Sequence, residues 1–180
     1  MMAYAIMKKI FKWLTGFFLL VCLLLAGLIY WQMPHPPSDA QLVQNFQAHR
    51  AAFEKLRDML QADPHLRRVA DWGVDLEDPV FLGKPTDAQF STNRYQQYLS
   101  LLKEAGGLMA SRDEGPHANP YIFVWAYGFG GDTRHISVCW LDTPPDNQVS
   151  SLDDQKIPAG STNRPDIYRH IDQDWYLWED

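Results

Sequence analysis

The chain has 180 residues, 16 basic and 22 acidic, for a formal charge of −6, and only two cysteines. The acidic balance argues against a nucleic-acid-binding surface, which needs clustered cations to neutralise phosphates. With Cys22 inside an apolar run and Cys139 the only cysteine beyond it, the remainder of the chain cannot form an internal disulfide.

The run from Trp13 to Trp31 (WLTGFFLLVCLLLAGLIYW) contains no charged residue. As a helix it would be roughly 29 Å long, matching the hydrocarbon core of a bilayer. Trp13 at one end and Tyr30–Trp31 at the other suit the two water interfaces. A cleaved signal peptide would be shorter and end in small residues, where this chain has Leu28, Ile29, Tyr30 and Trp31. A lipoprotein signal is disfavoured by bulky Val21 directly before Cys22. Residues 13–32 therefore read as a transmembrane anchor. Lys8, Lys9 and Lys12 all precede it, and no basic residue follows until Arg50. The positive-inside rule then places residues 1–12 in the cytoplasm and the rest outside, as in a single-pass protein of a bacterial inner membrane with its domain in the periplasm.

Residues 33–37 (MPHPP) form a stiff proline linker. Residues 38–180 follow as one extracytoplasmic domain with 13 basic and 22 acidic residues, a formal charge of −9. Ser38 and Gln41 fit a capping box, and Leu42, Phe46, His49, Phe53, Leu56 and Leu60 recur at helical spacing, so one helix is expected from Ser38 to Asp63. His49 reads as a boundary residue of its apolar stripe. Residues 65–86 mix strand and turn signals and carry the acidic cluster Asp71, Asp75, Glu77 and Asp78. That cluster lacks the alternating spacing of a calcium loop, so no metal is expected. A second helix is expected from Thr92 to Ala105, capped by Ser91 or Thr92 and stopped by Gly106–Gly107.

At Tyr121 the period changes to two. Tyr121, Phe123, Trp125, Tyr127 and Phe129 alternate with smaller residues, as one strand with an aromatic face. Gly130–Gly131–Asp132 would turn it into a partner strand, His135–Leu141. A helix packed over the aromatic row is the simple explanation of its composition; a ligand or glycan platform is the functional one. Asp142–Asp166 is a long polar segment with four prolines and includes Asp146, Asp153 and Asp154. Ile167–Ile171 and Trp175–Glu179 form a last hairpin. The fold class is α+β: the N-terminal transmembrane helix, then an antiparallel sheet of about four to six strands packed with two helices.

No nucleophile elbow, zinc-protease helix or paired-cysteine motif occurs, and no cofactor is implied. Cys139 shares a strand face with His135 but lies about 13 Å away along it, too far for a nucleophile and its base. The charged helix FEKLRDML soon after an anchor, together with the terminal strand WYLWED, resembles small membrane-anchored bacterial envelope proteins of unassigned function, some of which act as toxin-immunity proteins. The resemblance carries over no site residues; the anchor, the acidic domain, the long polar loop and the lack of catalytic constellations point to a non-enzymatic, protein-binding role. Its most concrete form is an immunity or inhibitor protein against a periplasmic toxin or enzyme, with Asp71, Asp75, Glu77, Asp78, Asp146, Asp153 and Asp154 meeting a partner that is possibly basic. The alternatives are a small-ligand or glycan-binding protein using Tyr121, Phe123, Trp125 and Tyr127, or a structural subunit of an envelope complex.

Overall fold

The computed structural model describes residues 18–25, 35–112, 119–127, 134–155 and 166–179. The chain divides into two compact units, Met1–His35 and Pro36–Asp180. In the first, residues 18–25 are helical. Phe18, Leu19, Leu20, Leu23, Leu24 and Leu25 each leave 54–70% of their surface uncovered. Among the described residues no helix is long and apolar enough to cross a membrane, and the expected span at 13–32 extends past residues 18–25 at both ends.

The second unit is α+β. Its first helix, α1 (Asp39–Ala48), opens on the expected capping box: Ser38 Oγ accepts from Gln41 N–H, and the Gln41 side chain accepts from Ser38 N–H. Instead of running on to Asp63, the helix bends at His49 (φ −119°, ψ 23°), and α2 (Arg50–Ala62) begins afresh. Phe46 and Phe53, one from each side of the bend, both pack on Trp175, with ring centroids 5.4 and 6.4 Å away. The apolar stripe was therefore continuous in sequence while the backbone under it was not. The third helix, α3 (Thr92–Ala105), is capped by Ser91 and closed by Gly106 at φ +67°, a left-handed conformation that glycine adopts without steric cost. Asp63 fastens α2 to α3, accepting 2.8 Å hydrogen bonds from Arg94 Nε and from the buried Tyr98 hydroxyl.

The sheet has eight antiparallel strands: β1 (Leu66–Ala70), β2 (Gly73–Leu76), β3 (Phe81–Gly83), β4 (Met109–Arg112), β5 (Pro120–Tyr127), β6 (Arg134–Trp140), β7 (Ile167–Asp172) and β8 (Trp175–Glu179). Their spatial order is β3-β2-β1-β4-β5-β6-β8-β7. This exceeds the four to six expected, because β3 and β4 have only three and four residues, too few to display a period. The β5–β6 pair is central, as expected of a hairpin with no plain solvent face; its turn, at 128–133, lies outside the described residues.

All three helices cover one face. Leu56, Leu60, Phe53, Tyr98 and Leu102 interlock with Val69, Val74, Ala110, Ile122, Val138 and Leu177 in one buried core. Along β7, Val149 N–H donates to Tyr168 O (2.8 Å) and Tyr168 N–H to Asn147 O (3.0 Å), so the segment after β6 caps that edge. Asp39, buried at the start of α1, holds the same segment: its carboxylate accepts from Ser151 Oγ and Leu152 N–H, both at 2.8 Å, and pairs with Arg169 Nη1 at 2.8 Å.

Candidate functional site

The strand pairings assign every side chain to a face. Register partners across antiparallel strands share a face. Val69, Ala110, Ile122, Val138 and Leu177 form one row under the helices, so Arg68, Ser111, Tyr121, Cys139, Tyr176 and His170 belong to the opposite face. Phe123, Ser137, Trp178 and Tyr168 form the neighbouring row of that face. Its aromatic residues lie outside the hydrophobic core cluster.

The aromatic row expected along β5 is broken by a bulge. The register shifts between Phe123 and Trp125, so that Trp125 pairs with core residue Ile136 and Ala126 pairs with His135. One extra residue reverses the face of everything after it. Tyr121 and Phe123 thus stay on the helix-free face. Trp125 turns to the helix side and packs against the core, stacked with Tyr127 at 6.2 Å. The four residues do not form one platform, and α1, α2 and α3 pack on the side of the sheet opposite Tyr121 and Phe123.

A different aromatic surface replaces that row, and it crosses strands. Tyr168 stacks on Trp178 (6.3 Å, 11° between planes), and Tyr121 meets Trp178 edge-on at 5.2 Å. Tyr121 meets Phe123 at 5.2 Å, and Phe123 meets His135 at 5.1 Å. Tyr121 and Trp178 stand on β5 and β8, with β6 between them. Their rings can meet because β6 presents only Ser137 and Cys139 there, both small and buried. Trp178 Nε1 donates to Asp166 (3.0 Å), which fixes the ring's edge. This surface was not visible in the sequence, since its members are scattered from 121 to 178. Only strand pairing brings them together. The face ends, where β4 and β6 begin, in a cavity of about 420 Å³ whose lining includes Asp71, Trp72, Leu108, Met109, Phe123 and His135.

The acidic residues expected to bind a partner do not form one patch. Asp71 lines the cavity just described. Asp75 is only 8% exposed and is held by Arg68, whose Nε donates to it at 2.8 Å while Nη2 also contacts it. Glu77 is exposed, and exposed Asp78 lines a separate cavity of about 270 Å³ beside His65 and Phe90. Asp146 and Asp154 are exposed on the segment beyond β7. Asp153 has a structural task, accepting from the Asp39 N–H at 3.1 and 3.2 Å. From β2 to β7 there are six strand spacings, about 29 Å, so the two acidic groups stand near opposite edges of the sheet.

The remaining candidates for chemistry are also placed. Cys139 is buried, with its thiol 3.6 Å from Tyr176 O. His170 shares its row but lies two strands away, about 10 Å, with Tyr176 between them. His170 Nε2 is 2.7 Å from Gln173 O in the β7–β8 turn. Burial, and then the charge of Asp174, hold the Tyr176 phenol above its ordinary pKa. Among the described residues no group of three or more His, Cys, Asp or Glu could hold a metal ion. No known protein family, curated protein or solved structure matches the chain.

Proposed function

We propose that this chain is a binding protein of the bacterial inner membrane, anchored by residues 13–32 with residues 1–12 in the cytoplasm, that holds its α+β domain in the periplasm to engage another protein. Its most concrete form is an immunity or inhibitor protein that occupies a periplasmic toxin or enzyme. The lysines before the apolar run and the uncovered leucines at 18–25 support the anchor. The observation that carries the binding reading is the helix-free face with its Tyr168–Trp178–Tyr121–Phe123 surface. Partly exposed tyrosine and tryptophan, locked by mutual packing, lose little entropy on contact and are typical anchors of interfaces. The separation of the two acidic groups moves the expected contact from charge to this aromatic face. The exposed acids are left to steer a basic partner during approach.

Site-specific photocrosslinking in cells tests the assignment. A benzophenone residue in place of Trp178 or Tyr121 should yield one discrete heavier species, whereas the same residue at exposed Gln61 on α2 should not. A discrete adduct from position 61 or 154 with none from 121 or 178 would place the contact elsewhere. Absence of any adduct would count against a protein partner.

A further inference from the structure

The cavity at the corner of the helix-free face has features that protein docking does not require. Its volume, about 420 Å³, lies within the range of sites that enclose a small organic molecule. Met109 and Phe123 supply apolar wall from β4 and β5, and Trp72 and Leu108 stand at the rim with 41% and 53% of their surfaces exposed. Large apolar side chains so exposed beside a concavity mark a place where an apolar body is meant to rest.

The walls are fixed in advance. The buried Tyr95 hydroxyl lies 3.0 and 3.1 Å from the carbonyls of Ala70 and Asp71, tying the β1–β2 turn to α3. Gly73, directly after Trp72, sits at φ +143°, and a Cβ there would lie 2.1 Å from Gly83 O. The turn can therefore approach β3 only with glycine at that position. On the opposite rim, Leu108 N–H donates to Phe123 O at 2.7 Å.

Charge selects the ligand. Among the described residues of the lining, Asp71 is the one carboxylate, neither lysine nor arginine is present, and His135 is the other titratable side chain. Asp71 makes no ion pair among the described residues. Its charge reaches into its surroundings: after burial, it is the next cause that holds the Tyr95 phenol above its ordinary pKa. A carboxylate in a cavity lined by aromatic residues attracts an ammonium group by direct Coulomb attraction, and an indole or benzene ring whose face the cation reaches adds to it.

We propose that this cavity binds a small apolar amine, its hydrocarbon or ring body against Phe123, Met109, Trp72 and Leu108 and its ammonium group at Asp71. The site is independent of whether a protein docks on the face beside it.

The test uses the full chain in nanodiscs of zwitterionic lipid and three fluorinated probes read by ¹⁹F NMR: 4-fluorophenethylamine, 4-fluorophenethyl alcohol and 3-(4-fluorophenyl)propionate. Signals from empty nanodiscs are subtracted. The amine should bind at least about tenfold more tightly than the alcohol, and the acid least. Asp71→Asn should reduce the amine to the affinity of the alcohol. Asp174→Asn, at the opposite end of the strands, should leave all three unchanged and thereby exclude an effect of net charge. Equal binding of the three probes, preference for the acid, an amine preference that survives Asp71→Asn, or no binding would each overturn the proposal.

Discussion

The two faces of the sheet are both rich in large apolar side chains, yet they are built in opposite ways. On the helix side, residues from three helices and seven strands close over one another, and Phe53, Leu56, Leu60, Val69, Ile122 and Leu177 lose all but a trace of their exposure. On the other side Tyr121, Phe123, Trp178 and Tyr168 pack ring against ring and stay partly exposed, while Tyr176 beside them is buried. The first arrangement maximises apolar area removed from water, and the second holds rings rigid by packing them edge and face against one another. Hydrophobic composition alone does not distinguish the two faces; what distinguishes them among the described residues is that α1, α2 and α3 pack on one of them.

The largest expected effect comes from opening the covered side. Phe53→Ala should destabilise the domain by about 3–5 kcal/mol, and Leu56→Ala by about 2–5 kcal/mol, measured by urea denaturation. Phe123→Ala on the helix-free side should cost clearly less, because the ring is only partly buried to begin with. Equal losses at 53 and 123 would erase the distinction between the faces.

An intermediate effect concerns the polar fasteners beside the core. Asp39→Ala removes acceptors from Leu152 N–H and Ser151 Oγ and an anion from Arg169, at a cost of about 1–3 kcal/mol. Limited proteolysis should then cut faster between residues 141 and 166, where the edge cap is fastened. Unchanged cleavage would show that the β7 pairing alone holds this segment.

The smallest effect is a dependence on alkaline pH. Burial first, then the Asp63 charge and its hydrogen bond, raise the Tyr98 phenol far above its ordinary value of 10.0. A raised folded pKa favours the protonated form, so this contribution is complete below pH 10 and declines as the unfolded phenol ionises above it. Tyr98→Phe should cost about 1 kcal/mol at neutral pH and flatten the loss of stability from about pH 10 upward, followed by chemical denaturation across that range. A slope unaffected by the substitution would assign the alkaline loss to other groups.

Much of this architecture was legible in the sequence, and its illegible parts have physical causes. Period and capping identified α3 and the final hairpin closely, since Ser91, Gly106 and the alternation in WYLWE are local signals. The bend at His49 was hidden because the apolar stripe continues through it. The bulge at Val124 was hidden because the alternation Tyr121, Phe123, Trp125, Tyr127 is perfect in sequence, whereas the backbone inserts an extra residue against β6. The strand β4 has no period to read, and it became a strand because Ala110 fills the gap between Val69 and Ile122. The surface joining Tyr121 to Trp178 depends on small residues of a third strand, a relation that exists only after folding.

The fastening at Asp39 also bears on how the domain carries load. Pro36, Pro37 and Asp39 share a cavity with Ile136 and Glu179, so the point where the folded unit begins lies against its last described strand residue. Tension between those two points would peel α1 away from residues 151–153 and from Arg169 on β7, breaking a few side-chain contacts one after another, without shearing the eight-stranded ladder. Force spectroscopy with handles at Pro36 and Glu179 should therefore record a low-force yield before the sheet gives way. A pull at Pro36 would be felt first at this corner, with the aromatic face still intact.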